Sequence, residues 1–201
     1  MREIKSTAIT EAVKRMCISA NRELPDDVRK CIVACHEKED WKPAKETLEK
    51  LNPVIRFIEY PFRITEENSS SLIADYDIVV TALDNVSSRY LVNETCVTLK
   101  KPLVEAGVSG WEGLATTIIP GESTCYRCIF SSMPNENKGE IGLVGCLPGI
   151  LGTIQAMEVI KLILGLGNTL ANRLLVFDGL ELAFSEFEME RDSNCPACKN
   201  L

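Results

Sequence analysis

The chain has 201 residues, 45% of them apolar and 25% charged, which is enough for one sizeable core and ordinary for a globular protein. Its net charge is −7 and it carries no basic stripe, which argues against a nucleic-acid partner. No uninterrupted apolar stretch is long enough to cross a bilayer, and the opening MREIKSTAITEAVKRM lacks the apolar run of a secretory signal, so a cytosolic protein off the membrane is expected.

Residues 1–52 read as helical. Ile9, Val13, Met16, Cys17 and Ala20 fall on one helical face, with Ser6 or Thr7 as N-cap. After a break at 21–25, Val28, Cys31, Ile32 and Cys35 repeat at helical spacing, and a third short helix runs from about Pro43 to Asn52. From Val54 the period changes. Val54–Tyr60 is strand-like, and Thr65-Glu66-Glu67 opens a short helix ending near Ala74. Asp77–Ala82 (DIVVTA) is a short apolar run rich in β-branched residues, as in a buried parallel strand. A helix over 84–100 and a strand over 102–108 complete a right-handed parallel α/β unit. A strand follows at 114–120, then a long loop. A strongly apolar helix spans 148–164 and ends at Gly165 and Gly167. Segments 173–177 and 183–190 form a hairpin through Asp178-Gly179.

The nine cysteines, an odd number in a reducing compartment, argue for metal binding or buried thiols rather than a disulfide framework. Four of them form two C-x-x-C knuckles, Cys125-Tyr-Arg-Cys128 and Cys195-Pro-Ala-Cys198. Four thiolates close a tetrahedral zinc shell with no open position for water, so the expected role is structural: the metal ties the tail to the loop after the 114–120 strand. Two unrelated redox pairs, or iron held by the same thiolates, are the alternatives.

From about residue 51 the sequence resembles the ThiF/MoeB/HesA adenylating enzymes, relatives of the ubiquitin-activating enzymes. The stretches that carry the resemblance are LNP at 51–53, YDIVVTALDNVSSRYLVN at 76–93, KPLVEAGVSGWEGLATTIIPG at 101–121 and CYRC at 125–128. LPGILGTIQAMEVIKLILGLG at 147–167, LLVFDGLELAFSE at 174–186 and CPAC at 195–198 complete them. The resemblance implies ATP-dependent adenylation of the C-terminal carboxylate of a ubiquitin-like sulfur-carrier protein, with Mg²⁺, by a homodimer. It implies that Asp84 sits near the magnesium and the phosphates, with Asn85 and Arg89 in the same pocket. Asp84 follows a buried strand and precedes a helix, the crevice position of open α/β sheets, and a carboxylate there can hold Mg²⁺. The plainer reading of Asp84 is a cap for the helix starting at Val86.

The sequence departs from the family pattern upstream. A glycine-rich turn should bring backbone N–H groups to the phosphates, yet the first glycine of the chain is Gly107. The ribose-binding acid, the arginine segment and the lysine of the family have no clear counterpart, although Lys45 lies near the expected helix. Residues 1–45 instead resemble the opening of the class I iron–sulfur fumarate hydratases. The expected organisation is a helical, fumarase-like segment 1–52 and a ThiF/MoeB-like domain 53–201. Its fold is a partial Rossmann-like parallel sheet with an antiparallel C-terminal extension. A chain of this kind is expected to be weakly active or inactive alone; the alternative is a non-catalytic, zinc-stabilised binding or dimerisation module.

The remaining residues read as packing. The family's acceptor thiol falls at Lys138, and Cys146, the only thiol nearby, reads as a packed small hydrophobe rather than a nucleophile. Cys31 and Cys35 read as buried helical cysteines with His36 turned away, and Cys17 and Cys96 as core. The 148–164 helix is expected to be buried or at a subunit interface, and Trp41 and Trp111 to anchor an interface or the core.

Overall fold

The computed structural model describes residues 2–5, 31–35, 41–51, 56–132 and 142–201. In chain order the elements are β1 (Arg2–Lys5), β2 (Cys31–Cys35), α1 (Trp41–Leu51), β3 (Arg56–Glu59), α2 (Glu66–Ala74) and β4 (Ile78–Ala82). Then come α3 (Val86–Leu99), β5 (Leu103–Ser109), β6 (Glu112–Ile118), α4 (Tyr126–Ile129), α5 (Cys146–Leu164), β7 (Arg173–Asp178) and β8 (Ala183–Glu188).

Among the described residues, one eight-stranded sheet holds all the strands in the order β3-β1-β2-β4-β5-β6-β7-β8. β2, β4 and β5 are parallel, and every other pairing is antiparallel. The α/β architecture with a parallel centre and an antiparallel C-terminal extension is therefore as the sequence indicated. β5 and β6 meet through a tight turn at Gly110 and Trp111, where Gly110 has φ 59, a conformation glycine adopts without a Cβ clash. In the last hairpin Asp178 accepts N–H bonds from Leu180 and Glu181, which closes the turn to β8.

The N-terminal expectation needs correction. Arg2–Lys5 and Cys31–Cys35 are strands, not parts of helices. The CIVAC run is short and apolar, and such a run fits either period; pairing with β1 and β4 decides for the strand. The helix expected from Pro43 is present as α1, with Pro43 in its first turn. His36, Cys17, Lys138 and the helix expected over 6–20 lie outside the described residues.

Alternation along the central strands divides the core into two layers. Val79 and Leu103 face α2 and α3 and pack with Ile73, Tyr76, Tyr90, Val92 and Cys96. Ile78, Val80 and Val104 face the other way, against Val159, Leu162 and Ile163 of α5. Leu147 and Leu151 of α5 meet Ala106, Ala115 and Phe177 further along the same face. By length and composition alone the 19-residue α5 is apolar enough to cross a membrane, contrary to the sequence expectation. In the fold its Leu147, Leu151, Gln155 and Glu158 are buried on the sheet side and Leu164 packs with Ile160, Ile163 and Leu166, while Met157 is exposed.

Candidate functional site

The two knuckles converge. α4 begins one residue after Cys125, so its first turn brings Cys128 back beside Cys125, with the Cys128 N–H donating to the Cys125 carbonyl at 3.0 Å. The second knuckle folds over it from the tail. Sγ–Sγ separations are 3.7 Å for Cys125 and Cys128, 3.6 Å for Cys125 and Cys195, and 3.4 Å for Cys128 and Cys198. All four sulfurs lie within 4.8 Å of one another. A tetrahedron with metal–sulfur bonds of ~2.3 Å has edges of about 3.8 Å, whereas a disulfide needs about 2.05 Å. The cluster therefore fits a single tetrahedral ion and not two disulfides, and it could hold a metal ion.

The electrostatics point the same way. Cys125, Cys195 and Cys198 are buried and Cys128 is half-buried. Burial pushes the Cys125 thiol above its ordinary range, and burial together with the Cys128 sulfur pushes Cys198 up to about 11. At Cys195 burial acts in the same sense, but the N–H groups of Cys198 and Ala197 and the Cys125 and Cys128 sulfurs outweigh it and lower the pKa. Four sulfurs this close cannot all carry charge in a core without a cation among them, and a divalent ion removes that conflict.

The second predicted site lies at the carboxyl end of β4. Asp84 is exposed there, just before α3. The helix cap is Asn85, not Asp84: its Oδ1 accepts the Ser88 N–H at 2.8 Å, and its Nδ2 reaches Asp84 Oδ1 at 3.4 Å. Arg89 points inward. Its guanidinium pairs with Glu105 and donates to the carbonyls of Leu83 and, at 2.7 Å, Ala106. Burial lowers its pKa, against the opposing pull of Tyr126 and Asp84. Glu105 is 0% exposed and also accepts from the Thr81 hydroxyl. From the α5 side, Gln155 Nε2 donates to the carbonyls of Thr81 at 2.8 Å and Val104 at 3.2 Å. β4 and β5 pair only over Val79–Val80 and Leu103–Val104, so these side chains tie the two strand ends together where the ladder stops. Arg89 thereby fixes the Leu83 carbonyl immediately ahead of Asp84.

Glu105, Gln155 and Glu158 were not singled out from sequence. Their signal was a polar residue inside an apolar strand or helix, LVEAGV and IQAMEVIKL. Glu158 accepts from the Thr117 hydroxyl, the Leu170 N–H and Lys161 and pins the loop after α5. One expectation fails. Cys146, read as packed, is exposed at the first turn of α5, because the buried stripe of that helix begins at Leu147. Of the two alternatives for Trp111, the core is the one that its 50% exposure does not fit, and the interface one is left standing. Lys45 on α1 pairs with Glu59 at 3.2 Å and Glu49 at 3.7 Å. Cys96 is buried, as expected.

This fold and site define a class, a mixed α/β protein whose tail is folded back by a four-cysteine centre. The ThiF family model matches residues 37–197, and the chain belongs to that family. It is 38% identical over 164 residues to a sulfur carrier protein adenylyltransferase of Thermus thermophilus, covering 77% of this chain and 60% of that protein. It is 38% identical over 168 residues to the HesA protein of a Nostoc species (81% and 67%), and 39% identical over 160 residues to the adenylyltransferase and sulfurtransferase MOCS3 of Xenopus laevis (77% and 36%). The chain thus spans between about a third and two thirds of these relatives. Among solved structures it shares its fold with E. coli MccB in the presence of ATP, at a TM-score of 0.70 and 20% identity, covering 85% of this chain and 59% of that one.

Proposed function

We propose that the chain is a ThiF-type adenylyltransferase body that acts with ATP and Mg²⁺ on the C-terminal carboxylate of a ubiquitin-like sulfur-carrier protein, and that alone it is weakly active or inactive. The observation that carries the reading is Asp84, exposed at the end of a buried parallel strand and before a helix N-terminus, where open α/β sheets place their ligands. Asp84 would hold the cation, with Asn85 beside it. Arg89 belongs to this pocket through the backbone it fixes, since its guanidinium is already engaged. The four-cysteine cluster we assign to structural zinc, because its closed sulfur shell keeps no position for water.

Residues 1–106 contain no glycine, so this stretch supplies no glycine-rich turn to cradle a triphosphate. This favours a second reading, a non-catalytic zinc-stabilised module that keeps a docking or dimer surface for the carrier. We place the protein in the cytosol, as a homodimer. From sequence resemblance alone we keep the division into a fumarase-like segment 1–52 and a ThiF/MoeB-like domain 53–201, with a junction near 45–52; strands from both sides of residue 52 share the sheet.

ATP–pyrophosphate exchange with carrier present tests activity: rates at the level of an Asp84→Ala variant are expected, and rates clearly above it overturn the inactive reading. Calorimetric titration separates the two functions. Carrier binding without Mg-ATP binding supports the module, and tight Mg-ATP binding supports the enzyme.

A further inference from the structure

β4 holds its two neighbours unequally. It pairs with β2 along its whole length, from Cys31↔Ile78 to Cys35↔Ala82, but with β5 only at Val79↔Leu103 and Val80↔Val104. β5 meanwhile continues to Ser109 in register with β6. The sheet therefore splits at Thr81 and Glu105, on the side where the chain turns out to Asp84. Backbone rungs hold parallel strands about 4.8 Å apart, and beyond the split something else has to set the spacing.

Two side chains reach across it, and they do so in step. Gln155, from α5, donates through Nε2 to the Thr81 carbonyl at 2.8 Å and the Val104 carbonyl at 3.2 Å. Two residues further along each strand Arg89, from α3, donates to the carbonyls of Leu83 and, at 2.7 Å, Ala106. Each side chain thus takes one acceptor from the β4 side and one from the β5 side. Glu105 accepts from Arg89 and from the Thr81 hydroxyl and links the parts. Thr81 and Glu105 are 0% exposed and Gln155 8%, so the base of the split is closed to solvent. A donor set between two carbonyls fixes both strands while leaving them parted, which a direct N–H···O rung does not. The turn 83–85 is then held on both sides of Asp84, Leu83 through its carbonyl and Asn85 through the Ser88 N–H at 2.8 Å. Open α/β sheets place ligands in such a crevice beyond the carboxyl ends of their strands.

We propose that Gln155 and Arg89 are positioning residues for Asp84, two side-chain rungs that set the width of the crevice between β4 and β5 and with it the place of the Asp84 carboxylate. Neither touches the cation; Gln155 makes α5 part of the site through the backbone alone. The inference rests on reading Asp84 as the ligand of a nucleotide-bound Mg²⁺.

The test uses the full chain with ATP and Mn²⁺ in place of Mg²⁺, as wild type, Asp84→Ala, Gln155→Met, Thr81→Val and Gly113→Ala. Gln155→Met keeps the length of the side chain and removes the donor, and Thr81→Val keeps the shape and removes the hydroxyl that Glu105 accepts. Gly113→Ala disturbs the same α5 layer at Leu151, away from both rungs. Mn–ATP binding, read from the paramagnetic resonance of Mn²⁺, should weaken about ten-fold in Gln155→Met and several-fold in Thr81→Val, and stay at the wild-type level in Gly113→Ala. Amide exchange over 83–86 should quicken in Gln155→Met before nucleotide is added. Wild-type affinity or wild-type exchange in Gln155→Met overturns the inference alone. So does an equal loss of affinity in Gly113→Ala, which would mark a general effect of packing. If Gln155→Met fails to fold, Thr81→Val decides by the same two readouts. A wild type that binds Mn–ATP no better than Asp84→Ala overturns the cation reading and the inference with it.

Discussion

Replacing Glu105 by glutamine is the sharpest test of how the end of β4 is built. The Glu105 side chain is 0% exposed and its partner Arg89 12%. Removing one member of such a pair leaves the other charge buried and uncompensated, which typically costs about 3–5 kcal/mol. Here the carbonyls of Leu83 and Ala106 still accept from Arg89, and the glutamine oxygen can replace one carboxylate oxygen. The expected loss therefore sits at the low end, about 3 kcal/mol, or roughly 6–12 °C in Tm for a chain of this size. Urea unfolding at fixed zinc concentration measures it, with the midpoint shifting and the slope unchanged. The double variant Arg89→Met/Glu105→Leu removes both charges and should recover most of the loss. A Glu105→Gln loss below about 1 kcal/mol, or a double variant as unstable as the two single losses added together, would refute the buried-pair argument.

Cys195→Ser should abolish stoichiometric zinc, read by elemental analysis under reducing conditions, and lower the melt; unchanged metal content and melt would remove the metal site. Gly113→Ala places a Cβ 2.6 Å from Leu151 Cδ2 in the packed α5 layer, so a loss of about 1–3 kcal/mol is expected in the same urea assay. Burial pushes the Cys96 thiol above its ordinary range, so it stays neutral in the fold while the unfolded chain ionises above about pH 9. Its contribution is intact below that pH and is lost as pH rises, and Cys96→Ala should soften the alkaline fall in stability. Peptide mapping after brief alkylation of native protein should find Cys146 modified and Cys96 protected; equal modification of both would contradict the burial of Cys96.

The strand–helix–strand unit from β4 to β5, the helix α5 and the last hairpin were legible because their patterns are long or bounded by glycine, proline and cap residues. The four-cysteine cluster was legible because C-x-x-C pairs carry their geometry in the spacing. The N-terminal strands were not: CIVAC fits two periods, and only its pairing with β4 decides between them. Nor could sequence tell that Asn85, one residue past Asp84, makes the cap, or that Cys146 falls just outside the buried stripe that starts at Leu147.

What the chain alone determined was local chemistry, the thiols that can share an ion and the carboxylate that ends a buried strand. What only tertiary structure decided was which polar side chains are drawn inside. The sequence assigned no role to Glu105, Gln155 or Asn93, and it placed Arg89 in the pocket beside Asp84 without its partner Glu105. Their burial follows from where β4 and β5 part and where α4 rests on α3, because backbone groups exposed at those places need partners from elsewhere in the chain.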